Sequence, residues 1–143
     1  MNKVKRWRYY CDYCKKAGGN KAVIVKHEER CTNNPKRKCG MCTFLELDQK
    51  PISEMLNLLP EPEKYKVFYN EDKTAYEFHL LKEAMIEPLK KLRELTDNCP
   101  ACILAALRQK KIHTDFAEGF DYKKEVQKIF KEHNSNQQGD LCY

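Results

Sequence analysis

Residues 11–31 read CDYCKKAGGNKAVIVKHEERC, and the spacing of four of them decides how this chain begins to fold. Cys11 and Cys14 form a C-x2-C pair, and after twelve intervening residues His27 and Cys31 follow as H-x3-C. A C-x2-C turn sets two sulfurs about one metal diameter apart. A histidine and a cysteine four residues apart lie one turn apart on one helix face. Together the four close a tetrahedron of soft donors, as structural Zn2+ prefers. The residues between them agree: Gly18 and Gly19 mark a turn, and Asn20 suits the N-cap of a helix over residues 21–30. Reading His27 as a plain solvent-facing helix residue leaves the ligand spacing of its partners unexplained.

A second set lies downstream. Cys39-Gly40-Met41-Cys42 and Cys99-Pro100-Ala101-Cys102 are two C-x2-C knuckles separated by 56 residues. Two such knuckles commonly share one metal, Gly40 suits the tight turn, and Pro100 opens a helix whose N-terminus favours thiolates. A four-thiolate zinc site on Cys39, Cys42, Cys99 and Cys102 is therefore expected, for two Zn2+ per chain. Spacing leaves a swapped arrangement open, with Cys39 and Cys42 paired to His27 and Cys31. The rival for CPAC is a redox dithiol, but here the motif follows a helix instead of the first strand of a βαβ unit. Cys142 is left over near the C-terminal end and reads as a bystander.

Working outward, residues 4–10 mix aromatic and basic side chains in the manner of an edge strand. Residues 31–42 read as a loop, with the turn dipeptide Asn34-Pro35. Ile52, Met55, Leu56 and Leu59 fall at helical spacing over residues 51–59, which Pro60 and Pro62 end. Alternation at Val67, Tyr69, Tyr76, Phe78 and Leu80 predicts a hairpin around residues 70–73. A helix over residues 75–95 competes for the same stretch, and the favoured reading is a short hairpin feeding a helix over residues 81–95, kinked or restarted at Pro88. Asp121 caps a last helix carrying Val126, Ile129 and Phe130. The expected fold class is α+β and mostly helical: a ββα-like zinc unit (1–34) packed on a helical, zinc-stapled domain (35–133), then a flexible tail (134–143).

Composition narrows the function. No run of 18 apolar residues exists to span a membrane, and no apolar stretch follows the basic N-terminus as in a signal peptide. A reducing, cytoplasmic setting is expected, in which regular C-x2-C spacing means metal and not disulfide. Residues 1–42 carry twelve Lys and Arg against three Asp and Glu, a net of +9, while the remainder is net −3. Loading both zinc sites brings the chain from +6 to about +3 and leaves the N-terminal segment strongly basic. That asymmetry points to a polyanion, most simply nucleic acid; the bland alternative is a solubilising face. There is no GxGxxG, no GKS or GKT, no H-x-E ahead of a C-x-x-C and no paired carboxylate, and a metal with four protein ligands keeps no open position. Neither an enzyme nor a small-molecule substrate is expected. His79, His113 and His133 have no partner at ligand spacing.

Residues 9–31 resemble the two-cysteine, two-histidine zinc finger with cysteine as fourth ligand. Tyr9 matches the aromatic two residues before the first cysteine, and Ile24 the apolar residue three before the histidine. Gly18 departs from the pattern, standing where that family has a core aromatic, so the unit should lean on the rest of the chain, with Trp7 and Tyr9 supplying the missing core. The resemblance implies base-reading positions at Asn20, Val23 and Lys26. Asn reads adenine well, but Val23 can only touch a thymine methyl, and one finger spans only about 3 bp. Phosphate contact through Lys15, Lys16, Lys21, Lys26 and Arg30 is the stronger expectation, joined by the loop Lys36-Arg37-Lys38, expected to be exposed. HEERCTNNPKRKCGMC and NCPACILAAL also look like small zinc proteins of phages and mobile elements, which implies an accessory or regulatory factor in the host cytoplasm. Two functions follow: a nucleic-acid-binding zinc protein, or a protein-interaction module (adaptor or inhibitor) with purely structural zinc sites. Trp7, Tyr9, Tyr10 and Tyr13 among basic residues also suit base stacking.

Overall fold

The structure, a computed structural model, describes residues 1–140, and of residues 136–140 only the backbone. Its first elements are two-residue strands β1 (Tyr9–Tyr10) and β2 (Ala17–Gly18), paired antiparallel with Tyr9 opposite Gly18, followed by helix α1 (Lys21–Arg30). Asn20 caps α1 as expected, its Oδ1 accepting from the backbone N–H of Ala22 and Val23. This is the ββα order, though the strand expected over residues 4–10 shrinks to its last two residues. Ile24 is the one buried residue of α1. A Cβ on Gly18 would meet Ile24 Cδ1 at 3.6 Å, so Ile24 sits where a bulkier side chain at position 18 would reach.

The rest is built around α6 (Pro100–Gln109), seven of whose ten residues are buried. Packed on it are α2 (Gly40–Phe44), α3 (Ile52–Leu58), α5 (Ile86–Thr96) and α7 (Tyr122–Asp140). Short 3-10 turns at Pro62–Tyr65 and Thr114–Phe116 complete the wrapping. Met55, Leu81, Met85, Leu92, Ile103 and Leu107 are its fully enclosed apolar side chains. Cys39, Cys42, Cys99 and Cys102 belong to this same core. The hairpin forms as β3 (Lys66–Phe68) and β4 (Tyr76–Phe78), antiparallel, so the strand reading of this ambiguous stretch holds. The fold is thus mostly helical α+β with two small antiparallel sheets.

Three local expectations need correction. The helix expected over residues 81–95 is two helices, α4 (Leu81–Ala84) and α5, broken at Met85 and not at Pro88. Pro88 lies in the first turn of α5, where a missing N–H costs nothing. Residues 40–42, read as the end of a loop, open α2 (Gly40–Phe44). Its N-cap is Cys39, whose sulfur accepts from Cys42 N–H. Helix α7 runs to Asp140, past residue 133, the expected end of the helical domain; residues 141–143, with Cys142, lie outside the described residues. No helix among the described residues is long and apolar enough to cross a membrane.

The ββα unit is tied to the helical body by backbone and amide contacts instead of aromatic packing. Lys38 N–H donates to Glu29 O at 2.7 Å, and Asn34 Nδ2 donates to Glu28 O at 2.7 Å. From α6, Arg108 donates to Thr32 Oγ1, and Gln109 Nε2 to the carbonyls of Thr32 and Asn34. Arg30 lays its guanidinium over Gly40. Trp7, expected in the core of the unit, is exposed, and Tyr9 is only half-buried.

Candidate metal centres

The first cluster is assembled by a turn and a helix end. Cys11 and Cys14 flank the bend between β1 and β2; His27 lies in the last turn of α1, and Cys31 is its C-cap. The four donor atoms lie within 4.8 Å of one another. Cys14 Sγ stands 3.1 Å from His27 Nε2, near the roughly 3.5 Å edge that Zn–S and Zn–N bonds subtend in a tetrahedron. The knuckle is held by N–H···S contacts from Tyr13 to Cys11 and from Lys16 to Cys14, each 3.4 Å. Cys11 N–H donates to Lys16 O, closing the loop. Burial pushes the Cys31 thiol up to about 11. Burial also works to raise Cys14, but the Lys16 N–H, the Cys11 and Cys31 thiols and the Lys16 charge outweigh it and lower its pKa.

The second cluster joins two helix starts. Cys39 is the N-cap of α2 and Cys99 the N-cap of α6, so each C-x2-C knuckle straddles a helix N-terminus. The sulfurs of Cys39 and Cys99 are 3.6 Å apart, Cys42 and Cys99 3.5 Å, and Cys42 and Cys102 3.4 Å. A tetrahedral Zn(Cys)4 has edges of roughly 3.8 Å. None of the seven described cysteines is in a disulfide, and all four here are buried. Two left-handed residues, Asp97 (φ 52°) and Asn98 (φ 60°), turn the chain sharply between α5 and Cys99. Asn and Asp are the side chains that tolerate this conformation best after glycine. The swapped arrangement is ruled out: His27 and Cys31 group with Cys11 and Cys14.

Ionisation of this second set is uneven. Hydrogen bonds from the Cys102 and Cys99 thiols hold Cys39 far below the ordinary thiol value, helped by Cys42 N–H and the Arg37 charge. Burial pushes the Cys42 thiol up to about 12. The Cys102 and Cys39 sulfurs push Cys99 up, and Cys39 pushes up Cys102. Four thiolates at this spacing repel, and a divalent cation is what lets all four ionise together. The two ligand sets fit the chemistry of two zinc ions.

Sequence reading missed the residues that brace the second cluster. Arg37, expected as an exposed nucleic-acid contact, is only 7% exposed, and its NH1 donates to Cys102 Sγ at 3.8 Å. Burial opposes its charge, but the Cys39 and Cys102 sulfurs outweigh that and hold it protonated. Gln49 clamps the same segment: its Nε2 donates to Arg37 O at 2.8 Å, and its Oε1 accepts from Cys39 N–H at 2.6 Å. Asn34 is buried as well, joining Glu28 O to Lys36 N–H. Only its Asn-Pro context signalled the turn.

Of the other basic positions, Lys15, Lys16, Lys21, Lys26, Arg30, Lys36 and Lys38 are exposed. Lys16, Lys26 and Arg30 line one open groove of about 570 Å³, together with Val23, His27 and Glu29. Asn20 engages its Oδ1 in the helix cap, the oxygen that bidentate adenine reading requires. No protein-family model, curated protein or solved structure matches this chain.

Proposed function

We propose that this protein is a two-zinc accessory factor that grips nucleic-acid phosphate with the basic face of its N-terminal ββα unit. The observation that carries the reading is the groove flanked by Lys16, Lys26 and Arg30 beside the first metal site, with Lys15 and Lys21 exposed nearby. Zinc fixes this face: Lys16 donates its backbone N–H to a ligand sulfur, and Lys26 precedes the ligand His27. Phosphate contacts position without reading bases, which suits a helix whose first turn carries Val23, a side chain with no hydrogen bond to offer a base.

Salt titration of binding to random DNA tests this. Each lysine–phosphate contact contributes close to one unit of log–log slope. Lys21→Glu with Lys26→Glu should lower the slope by about two and weaken binding several-fold, with zinc content unchanged. An unaltered affinity in the folded double mutant would favour a second reading, a protein-docking module. That reading draws on the exposed Val67, Phe68, Tyr69 and Tyr76 of the β3–β4 hairpin, in the acidic part of the chain.

A further inference from the structure

We infer that the occupant of this basic face is a single strand, held by base stacking on Trp7, Tyr10 and Tyr13 as well as by phosphate contact; this rests on the nucleic-acid reading above. The three rings are exposed by 86%, 63% and 43%, all within seven residues. Burial in the unit would have been a sufficient reason for an aromatic segment here, and it does not apply to these three rings: the buried residues of the unit are Cys11, Ile24 and Cys31, with Tyr9 half-buried. Exposed Lys5, Arg6 and Arg8 flank Trp7, and exposed Lys15 follows Tyr13, so a strand lying along residues 5–16 would meet both positive charge and π-faces, with Asp12 the one acidic side chain in the path. Two of the rings are anchored by the fold. Tyr10 lies on β1 opposite Ala17, and Tyr13 donates its N–H to Cys11 Sγ inside the metal knuckle.

Duplex readout lacks the corresponding equipment. Asn20 Oδ1 is held by the cap of α1, and Val23 offers no hydrogen bond to a base edge. Stacking asks for neither, because every base has a π-face once it leaves the duplex. The expected ligand class is therefore unstructured single-stranded DNA or RNA, with weak sequence preference.

Trp7 is the only tryptophan in the chain, so its fluorescence reports on this segment alone. The zinc-loaded full chain would be titrated with an oligothymidylate and with a random duplex of equal length, at low and moderate salt. The expected result is quenching by the single strand and an affinity for it at least about tenfold above that for the duplex. Read by anisotropy of a labelled strand, since these variants lack the fluorophore, Trp7→Ala should weaken single-strand binding roughly tenfold and leave duplex binding, salt slope and zinc content alone, while Trp7→Phe keeps most of the affinity. Tyr13→Ala, read by anisotropy of a labelled strand, should behave like Trp7→Ala. Equal binding of both forms with no quenching would overturn stacking and leave the phosphate reading standing. Binding of neither form would overturn both. Tight single-strand binding that Trp7→Ala and Tyr13→Ala leave intact would also overturn the assignment, since the rings would then carry none of it.

Discussion

Arg37 shows how one side chain can change the meaning of a charge run. In Lys36-Arg37-Lys38 the three residues carry the same charge, yet the outer two are exposed and the middle one is buried against the sulfur of Cys102. A loaded four-thiolate site carries a net charge of −2, and burying that charge without compensation is costly. The guanidinium supplies positive charge and an N–H donor at a ligand sulfur. Arg37→Gln should therefore destabilise the protein by about 2–3 kcal/mol. It should also speed zinc transfer to a competing chelator, since an unshielded thiolate is the better nucleophile. Arg37→Lys should fall between, keeping charge but losing the planar fork. Thermal melts and a chromogenic zinc-release assay would check both, and an Arg37→Gln protein with unchanged release would reduce Arg37 to packing. The sequence could not single out Arg37, because its inward turn depends on Asn34 and Gln49, which hold the loop from either side. The eight metal ligands, by contrast, were legible because ligand spacing is a local property of turns and helix ends.

At the scale of elements, legibility followed length and capping. The bounds of α1 were readable because Asn20 at its start, and His27 and the C-cap Cys31 at its end, bracket it. Five-residue α2 was not, since a cysteine serves as its cap and no apolar period fits in one turn. Between the hairpin and α5 the chain makes a turn that periodicity does not encode: Leu80 sits at φ 62° as the N-cap of α4, with 56% exposure. A leucine in the left-handed region costs about 1–2 kcal/mol, and this one recovers little by burial. That turn is what separates α4 from the hairpin and lets Leu81 and Met85 enter the core. Leu80→Asn should accordingly raise the stability by up to about 1 kcal/mol, or a few degrees in Tm. A lower Tm would mean that the Leu80 side chain makes a contact worth more than the backbone strain. In α6, where the core is dense, Ile103→Ala should cost about 2–5 kcal/mol, because the side chain is fully enclosed and the cavity cannot collapse freely.

At the scale of the whole molecule, the two metal centres have different mechanical duties. The first closes a unit whose helix buries only Ile24, and two of its ligands, Cys14 and His27, are half-exposed. The second lies in the main core, joining the starts of α2 and α6 among Met55, Leu92 and Ile103. Structural zinc contributes its binding free energy to folding, of order 10 kcal/mol in small zinc domains. Losing it at the first centre should melt only the N-terminal unit, whereas losing it at the second should leave four buried thiols and loosen the packing around α6. Native mass spectrometry of the intact chain should find two zinc ions. Cys11→Ser should retain one zinc, most of the helical circular dichroism and a cooperative melt. Cys99→Ser should lose the cooperative melt along with its zinc. Chelator added in steps should remove the first ion ahead of the second, because the half-exposed ligands admit a competing donor. If the first-site variant lost both ions and all cooperativity, the ties through Asn34, Lys38 and Gln109 would make the two centres one folding unit. If Cys99→Ser kept two zinc ions and its melting temperature, the four-thiolate assignment itself would be wrong.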